Sequence, residues 1–199
     1  MSRKILVISG SAKRDGNTAA LIQWFIQGAR ANRAKVEIIQ AFSLKLKAIG
    51  CTSCRKCQIR EEYECAVNDD IFPVLKKMRE ADVIVMATPL YFFAATACLK
   101  AVIDRMFSLY KWDNANKTFT SPLKGKTLVL LASAYEDVGL DALEAPFSLT
   151  ADYTEMKFFS LLVPNAGVSG DIRKMRGVSR KAIALGKKVS ALPVLEPYA

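Results

Sequence analysis

Residues 3–18 read "RKILVISGSAKRDGNT". The segment 3–9 is a short apolar run rich in β-branched residues, and it stops at Gly10. Residues 17–32, "NTAALIQWFIQGARAN", then carry apolar positions at helical spacing, with Asn17 or Thr18 placed to cap the helix. A buried strand, a glycine-bearing polar turn and an amphipathic helix form the first unit of an open α/β sheet. Its turn holds the Ser9, Ser11 and Thr18 hydroxyls, the Asn17 amide, the Lys13 and Arg14 cations, and glycines at 10 and 16. Glycines let a ligand approach the backbone closely, and the start of a helix offers free amides and a positive dipole end. That chemistry suits a phosphate. The glycine spacing matches neither the dinucleotide fingerprint nor a Walker loop, and an ordinary polar strand-to-helix turn is the plain alternative.

Downstream the unit repeats. Residues 35–42, 82–88, 125–133 and 156–163 read as further strands. Helical patterns occupy 69–81, 94–111, 138–153 and 177–191. Asp69 and Asp70 suit a helix start, and Pro146 belongs at an end or a kink. Strands this continuously apolar, alternating with helices, predict a parallel sheet covered on both faces. Five of them in 199 residues fit a flavodoxin-like, doubly wound α/β sheet of order 2-1-3-4-5. The whole chain, 1–199, reads as one domain with a cysteine-rich insertion at about 43–68.

Composition narrows the function classes. The formal net charge is +10, from 29 basic and 19 acidic residues, which favours anionic partners. No motif for DNA or RNA recognition accompanies it, so no nucleic-acid partner is expected. The chain has no histidine, which removes Ser-His-Asp and Cys-His catalysis and His-ligated zinc. Pro89 interrupts the longest uncharged run, 83–99, and no leader-like segment is present, so a cytoplasmic, membrane-free protein is expected. Reduced thiols are the rule there.

Two further stretches carry chemistry. After the third strand comes "TPLYFFAA", residues 88–95, whose aromatics suit either a core or subunit contact, or a wall for a flat ring. With the phosphate turn at the same sheet edge, this describes a flavin mononucleotide (FMN) site. Residues 50–65, "GCTSCRKCQIREEYEC", hold Cys51, Cys54 and Cys57 at C-x2-C-x2-C spacing, with Cys65 seven residues on. That run grips cubane clusters in bacterial-type ferredoxins. Four-thiolate zinc, a redox dithiol and an empty motif remain alternatives. Cys98 reads as a small core residue.

The segments "GSAKRDGNT", "DDIFPVLKKMREADVIVMATPLYF" and "LKAVIDR" resemble the flavodoxin-fold NAD(P)H-dependent FMN reductase superfamily, and the cysteine stretch resembles its iron–sulfur flavoprotein members. The resemblance implies that Ser9, Ser11, Lys13, Gly16, Asn17 and Thr18 hold the FMN phosphate. It implies that Pro89, Leu90, Tyr91 and Phe92 line the isoalloxazine, and that the loop from Ser133 through Tyr135 closes the other side. It places one [4Fe–4S] cluster on Cys51, Cys54, Cys57 and Cys65. Implied partners are NAD(P)H or reduced ferredoxin as donor, a small acceptor, and further copies of the chain in a homodimer or homotetramer. An FMN-dependent oxidoreductase follows, with a cluster-free FMN or quinone reductase as the alternative. No side chain is expected to act as a catalytic acid or base, since flavin takes up hydride directly.

Overall fold

A computed structural model describes residues 2–193. Seven strands and five α-helices run in the order β1 (Lys4–Ser9), α1 (Asn17–Ala31), β2 (Lys35–Gln40), α2 (Ile71–Glu80), β3 (Val83–Pro89), α3 (Ala97–Arg105), β4 (Lys111–Asp113), β5 (Thr118–Thr120), β6 (Thr127–Ser133), α4 (Leu140–Tyr153), β7 (Lys157–Val163) and α5 (Val178–Ser190). Five of the strands form one parallel sheet of order β2-β1-β3-β6-β7, the predicted flavodoxin-like arrangement.

The two-residue period of a strand sorts the core into two layers. Ile5, Val7, Val83, Val85, Val129 and Leu131 face one side, against Ile22, Phe25 and Ala29 of α1 and Val189 of α5. Leu6, Ile8, Ile84, Met86, Leu128 and Leu130 face the other, against α2, α3 and α4. The central strands therefore bury both faces, which is why they read as unbroken apolar runs. Each fully buried Leu, Ile or Phe contributes about 1.5–3 kcal/mol. Edge strand β2 is largely exposed.

On the first layer, α1 and α5 touch backbone to backbone. A Cβ on Gly28 would lie 2.0 Å from the Ile183 carbonyl oxygen, and one on Gly186 would lie 2.0 Å from that of Phe25. Two glycines facing each other across the crossing allow this contact.

Four details depart from the sequence reading. Helix α1 is capped by Gly16 with no side-chain bond, not by Asn17 or Thr18. Helix α2 begins at Ile71, with Asp70 at its cap position and Asp69 Oδ1 accepting from the Ile71 amide at 3.1 Å, while both carboxylates also reach the cysteine insertion. Pro146 sits inside α4, and the Thr150 hydroxyl donates to its carbonyl at 2.7 Å. Finally, the stretch read as one helix to residue 111 ends at Arg105, passes through a 3-10 turn, and enters the antiparallel hairpin β4–β5. Met106, Leu109 and Tyr110 are consequently buried, while the aromatic rings of Phe107 and Trp112 stay half exposed.

Candidate functional site

At the strand ends of the parallel sheet, backbone bonds continue the ladder between the loops that follow β1, β3, β6 and β7. The Gly10 amide donates to the Ala87 carbonyl at 2.7 Å, Leu90 to Ser133 at 2.9 Å, and Ala134 to Val163 at 3.0 Å. The predicted phosphate loop, aromatic loop and Ser133 loop are thereby fixed along one edge, where open α/β sheets bind ligands.

In the first loop Ser9, Ser11 and Thr18 are buried, while Lys13 and Arg14 are exposed. The Lys13 amide donates to the Ser11 hydroxyl at 3.2 Å, which shapes the turn. Gly16 leaves a narrow space: a Cβ there would lie 3.2 Å from Lys13 Cβ and 3.3 Å from Ser169 Oγ. No side chain caps α1, so its first-turn amides face the loop. Asn17 is drawn elsewhere. Its Nδ2 donates to the carbonyls of Ala166 and Val168 at 3.0 and 3.1 Å, and its Oδ1 accepts from the Gly170 amide at 2.8 Å. The side chain thus anchors the segment after β7 against this loop.

The aromatic loop is a tight turn. Tyr91 and Ala94 exchange backbone bonds at 3.1 and 3.0 Å, and the two residues between them have positive φ, 44° at Phe92 and 63° at Phe93. Two left-handed central residues mark the turn type that favours Asn-Gly. Each non-glycine residue there costs roughly 1–2 kcal/mol. Despite that, Phe92 is 98% exposed and Tyr91 59%. Pro89 and Leu90 are half-buried behind them, Ser133 is buried, and Tyr135 stands out from the neighbouring loop. Phe93 bears on Gly139, where a Cβ would lie 2.1 Å from its ring.

The cysteine insertion hangs from a clasp at its root. Arg105, buried at the end of α3, donates to Asp69 Oδ1 and to the Val67 carbonyl, both at 2.6 Å. Asp69 and Asp70 reach across to accept from the amides of Lys47 and Lys45, at 2.9 and 2.7 Å. Burial on its own would push the Asp69 carboxyl up. The Arg105 guanidinium and the amides of Lys47 and Ile71 together outweigh it and hold the group below its ordinary value. Higher in the lobe, Gln58 Nε2 donates to the Tyr110 carbonyl at 2.7 Å and lies 3.6 Å from Cys57 Sγ. The Tyr63 hydroxyl donates to Thr120 of β5 at 2.7 Å. Hairpin β4–β5 is the lobe's support.

The thiols differ in setting. Cys57 is buried and Cys65 half-buried, while Cys51 and Cys54 are exposed. Burial pushes the Cys57 thiol up, and the nearby Cys65 and Cys51 add to the rise. The Lys56 amide, helped by the Thr52 hydroxyl, holds the Cys54 thiol down. Ser53 and Arg55 flank it with φ of 54° and 53°, bending the backbone around that sulfur. Among the described residues no three His, Cys, Asp or Glu side chains close on a point that a single metal ion could occupy.

With this geometry in place, the decisive comparison is that the sequence model for NADPH-dependent FMN reductases matches residues 3–166. The chain belongs to the NADPH-dependent FMN reductase family. An iron–sulfur flavoprotein of Methanocaldococcus jannaschii is 36% identical over 103 residues, covering 51% of this chain and 51% of that protein. One from Methanosarcina thermophila is 31% identical over 114 residues, 57% of this chain and 58% of that protein. The chain spans about half the length of the curated relatives it matches. Among solved structures, an NAD(P)H:quinone oxidoreductase from Methanothermobacter marburgensis superposes with a TM-score of 0.73 at 14% identity, over 97% of this chain and 100% of the other. That likeness shows the shared fold. No helix among the described residues is long and apolar enough to cross a membrane.

In this FMN reductase family member, several residues matter that the sequence reading passed over. The Thr96 hydroxyl donates to the Gly10 carbonyl at 2.8 Å, and the Thr96 amide donates to the Thr88 hydroxyl at 3.2 Å, so α3 ties the phosphate loop to the aromatic loop. The Cys98 thiol packs beside them, 3.4 Å from the Gly10 carbonyl. Residues 164–174, pinned by Asn17 and by Arg173 donating to the Asp15 carbonyl at 3.1 Å, pack against the predicted phosphate loop. Gly139, with φ of 78°, holds Phe93 in place. Gly139→Ala is expected to cost about 1–3 kcal/mol, since the new methyl meets both a left-handed backbone and the Phe93 ring. The urea midpoint of the two proteins measures it.

Proposed function

We propose that this chain is an FMN-dependent oxidoreductase of the iron–sulfur flavoprotein type. It passes electrons between a donor (NAD(P)H or reduced ferredoxin), FMN, a [4Fe–4S] cluster and a small acceptor. The observation that carries the reading is the Tyr91–Ala94 turn. It holds two strained phenylalanines at a strand end, and Phe92 gains almost nothing from burial there. Strain that persists without a folding return belongs to a ligand clamp. The turn's ledge of Pro89, Leu90, Tyr91 and Phe92 suits one face of a planar ring, and Tyr135 with Ser133 borders the other side.

The phosphate end supports the same ligand. The uncapped start of α1, the Ser9, Ser11 and Thr18 hydroxyls, and the Lys13 cation offer donors and positive charge to a dianion, while Gly16 keeps the approach open. Asn17 serves this site by holding the 164–174 segment against it. Flavin bound there would exchange hydride with a donor and release single electrons, and a cluster would carry them one at a time.

The lobe's donor set fits a cubane. It offers Cys51, Cys54, Cys57 and Cys65, an amide directed at the Cys54 sulfur, and a carboxamide near that of Cys57. Zinc would need four thiolates at about 2.3 Å from one point, whereas a cubane takes each thiolate on a separate iron corner. Hydrogen bonds to ligand sulfurs favour the reduced cluster. Tyr91 and Phe92 on one strand-end loop and Tyr135 on the next leave apolar surface exposed. A second copy, in a homodimer or homotetramer, would cover it.

Exposure of Cys51 and Cys54 favours one other reading, a cluster-free FMN or quinone reductase on the same scaffold. Anaerobic purification with FMN, iron and inorganic sulfide quantified per chain separates the two. Brown protein holding FMN, with iron and sulfide in equal amounts, is the expected result. Yellow, iron-free protein overturns the cluster and leaves the flavin. Protein that stays colourless and does not quench added FMN fluorescence overturns the flavin reading.

A further inference from the structure

The sheet order β2-β1-β3 sets three loops side by side at the ligand edge. The aromatic turn follows β3, the phosphate loop follows β1, and a 3-10 turn at Ala41–Ser43 follows β2. Between the last two lies a cavity of about 200 Å³ lined by Ser11, Ala12, Arg14, Gln40, Phe42 and Ser43. Pairing of Ser9 with Gln40 at the ends of their strands fixes its two walls against each other. The cavity touches the phosphate loop on the side away from the aromatic turn.

Its lining is unusual for an unused surface dent. Phe42 is 65% exposed, a phenyl ring with no packing role that would explain it. Arg14 is exposed too, and it has neither hydrogen bond nor ion pair among the described residues. Between them stand the Gln40 carboxamide and the Ser11 and Ser43 hydroxyls. An aromatic face, a free guanidinium and short polar groups together match a heteroaromatic base that carries a phosphate. Whole ligands of drug size fill pockets of about 300–1,000 Å³, so this smaller space takes a fragment of a larger molecule.

We propose that this cavity binds an adenosine phosphate group of a nucleotide whose remainder lies over the flavin site. The inference rests on the flavin reading, which puts a ring at the β3 turn and a phosphate at the β1 loop. Anything bonded beyond that phosphate runs on towards β2 and meets Arg14 and Phe42. Two molecules present this chemistry: NADPH, through its adenosine 2′-phosphate, and FAD, through its AMP half. Base stacking on Phe42 and a charge-assisted bond from Arg14 are the recognition elements in both.

The test separates the sources and keeps the flavin reading apart. FMN-loaded protein is titrated with adenosine 2′,5′-bisphosphate, and apo protein is titrated with FMN and with FAD, following flavin fluorescence. Arg14→Gln and Phe42→Ala are run beside the native chain. Both residues are exposed, so both variants should fold. Bisphosphate binding to the FMN form that weakens roughly tenfold in each variant, with FMN affinity unchanged in Phe42→Ala, supports the site and assigns it to NADPH. FAD binding that weakens in both variants, while Phe42→Ala leaves FMN binding unchanged, supports the site and assigns it to FAD. The proposal is overturned if the bisphosphate fails to bind, or binds all three proteins alike, and the variants treat FAD and FMN alike. Failure of FMN itself to bind native protein overturns the flavin reading first, and this inference with it.

Discussion

Arg105→Met should destabilise the protein by about 3–5 kcal/mol, because it leaves the buried Asp69 carboxylate without its cation. That is a large share of a typical folding free energy of about 5–15 kcal/mol. Methionine restores most of the volume, so the loss reports the charge and its bonds rather than a cavity. The damage should concentrate at the lobe's root, since the variant also frees the Val67 carbonyl. Faster labelling of the Cys57 thiol, against an unchanged core by amide exchange, is the local signature. Arg105→Met combined with Asp69→Asn should recover part of the loss, because it removes the unpaired buried charge and leaves one carboxamide oxygen to accept from either the Lys47 or the Ile71 amide. Equal urea midpoints for native and Arg105→Met protein would falsify the clasp. The pH dependence follows from the same group. The folded-state Asp69 carboxyl lies below its ordinary 3.8, so its stabilisation is present above that value and drains away as pH falls through the depressed one. Native protein should lose stability below about pH 4, and Asp69→Asn should remove that part of the acid sensitivity.

Gly28→Ala comes next in expected size. Alanine is the better helix residue by about 1 kcal/mol, so on an isolated helix the change would help. Here the new methyl would sit 2.0 Å from the Ile183 carbonyl oxygen, and neither backbone can yield without moving a helix. Overpacking costs about 1–3 kcal/mol and more where backbone must shift. A net loss of about 2–3 kcal/mol is expected once the propensity gain is subtracted. Gly186→Ala, whose methyl would meet the Phe25 carbonyl oxygen, should cost a similar amount. The double variant should cost less than the sum, since helices already forced apart accept the second methyl easily. Strict additivity in urea denaturation would show that the two sites do not share one crossing.

Much of this architecture was legible because local and global demands coincide. "RKILVIS" and "DVIVMAT" bury both faces of a central strand, so their unbroken apolarity announced a parallel sheet without any knowledge of partners. The strand-end loops stood out through their glycines and clustered aromatics, although Gly10 also packs directly against Thr96 and Leu99, and Gly16 caps α1. What escaped depends on distant partners. Arg105 looks like an ordinary charge at a helix end until Asp69, 36 positions away, meets it in the interior. Asn17 has the chemistry of a helix cap, yet three carbonyls of the segment after β7 compete for its amide and win. The hairpin β4–β5 did leave a trace. "KWDNANKTFT" sets aromatic and β-branched residues around an Asp-Asn turn, but three-residue strands are too short to show alternation.

The lobe's geometry at its root has an evolutionary corollary. Lys45 and Asp70 bond to each other through the backbone at 3.3 Å, so the chain leaves the flavodoxin-like body and returns to it at almost the same spot. An excursion with coincident ends is a module. Its cysteine-bearing tip can be exchanged with no strand re-registered, provided that Val67 and Asp69 stay to pair the buried Arg105. Chains that differ only in what is plugged into this socket therefore share one frame.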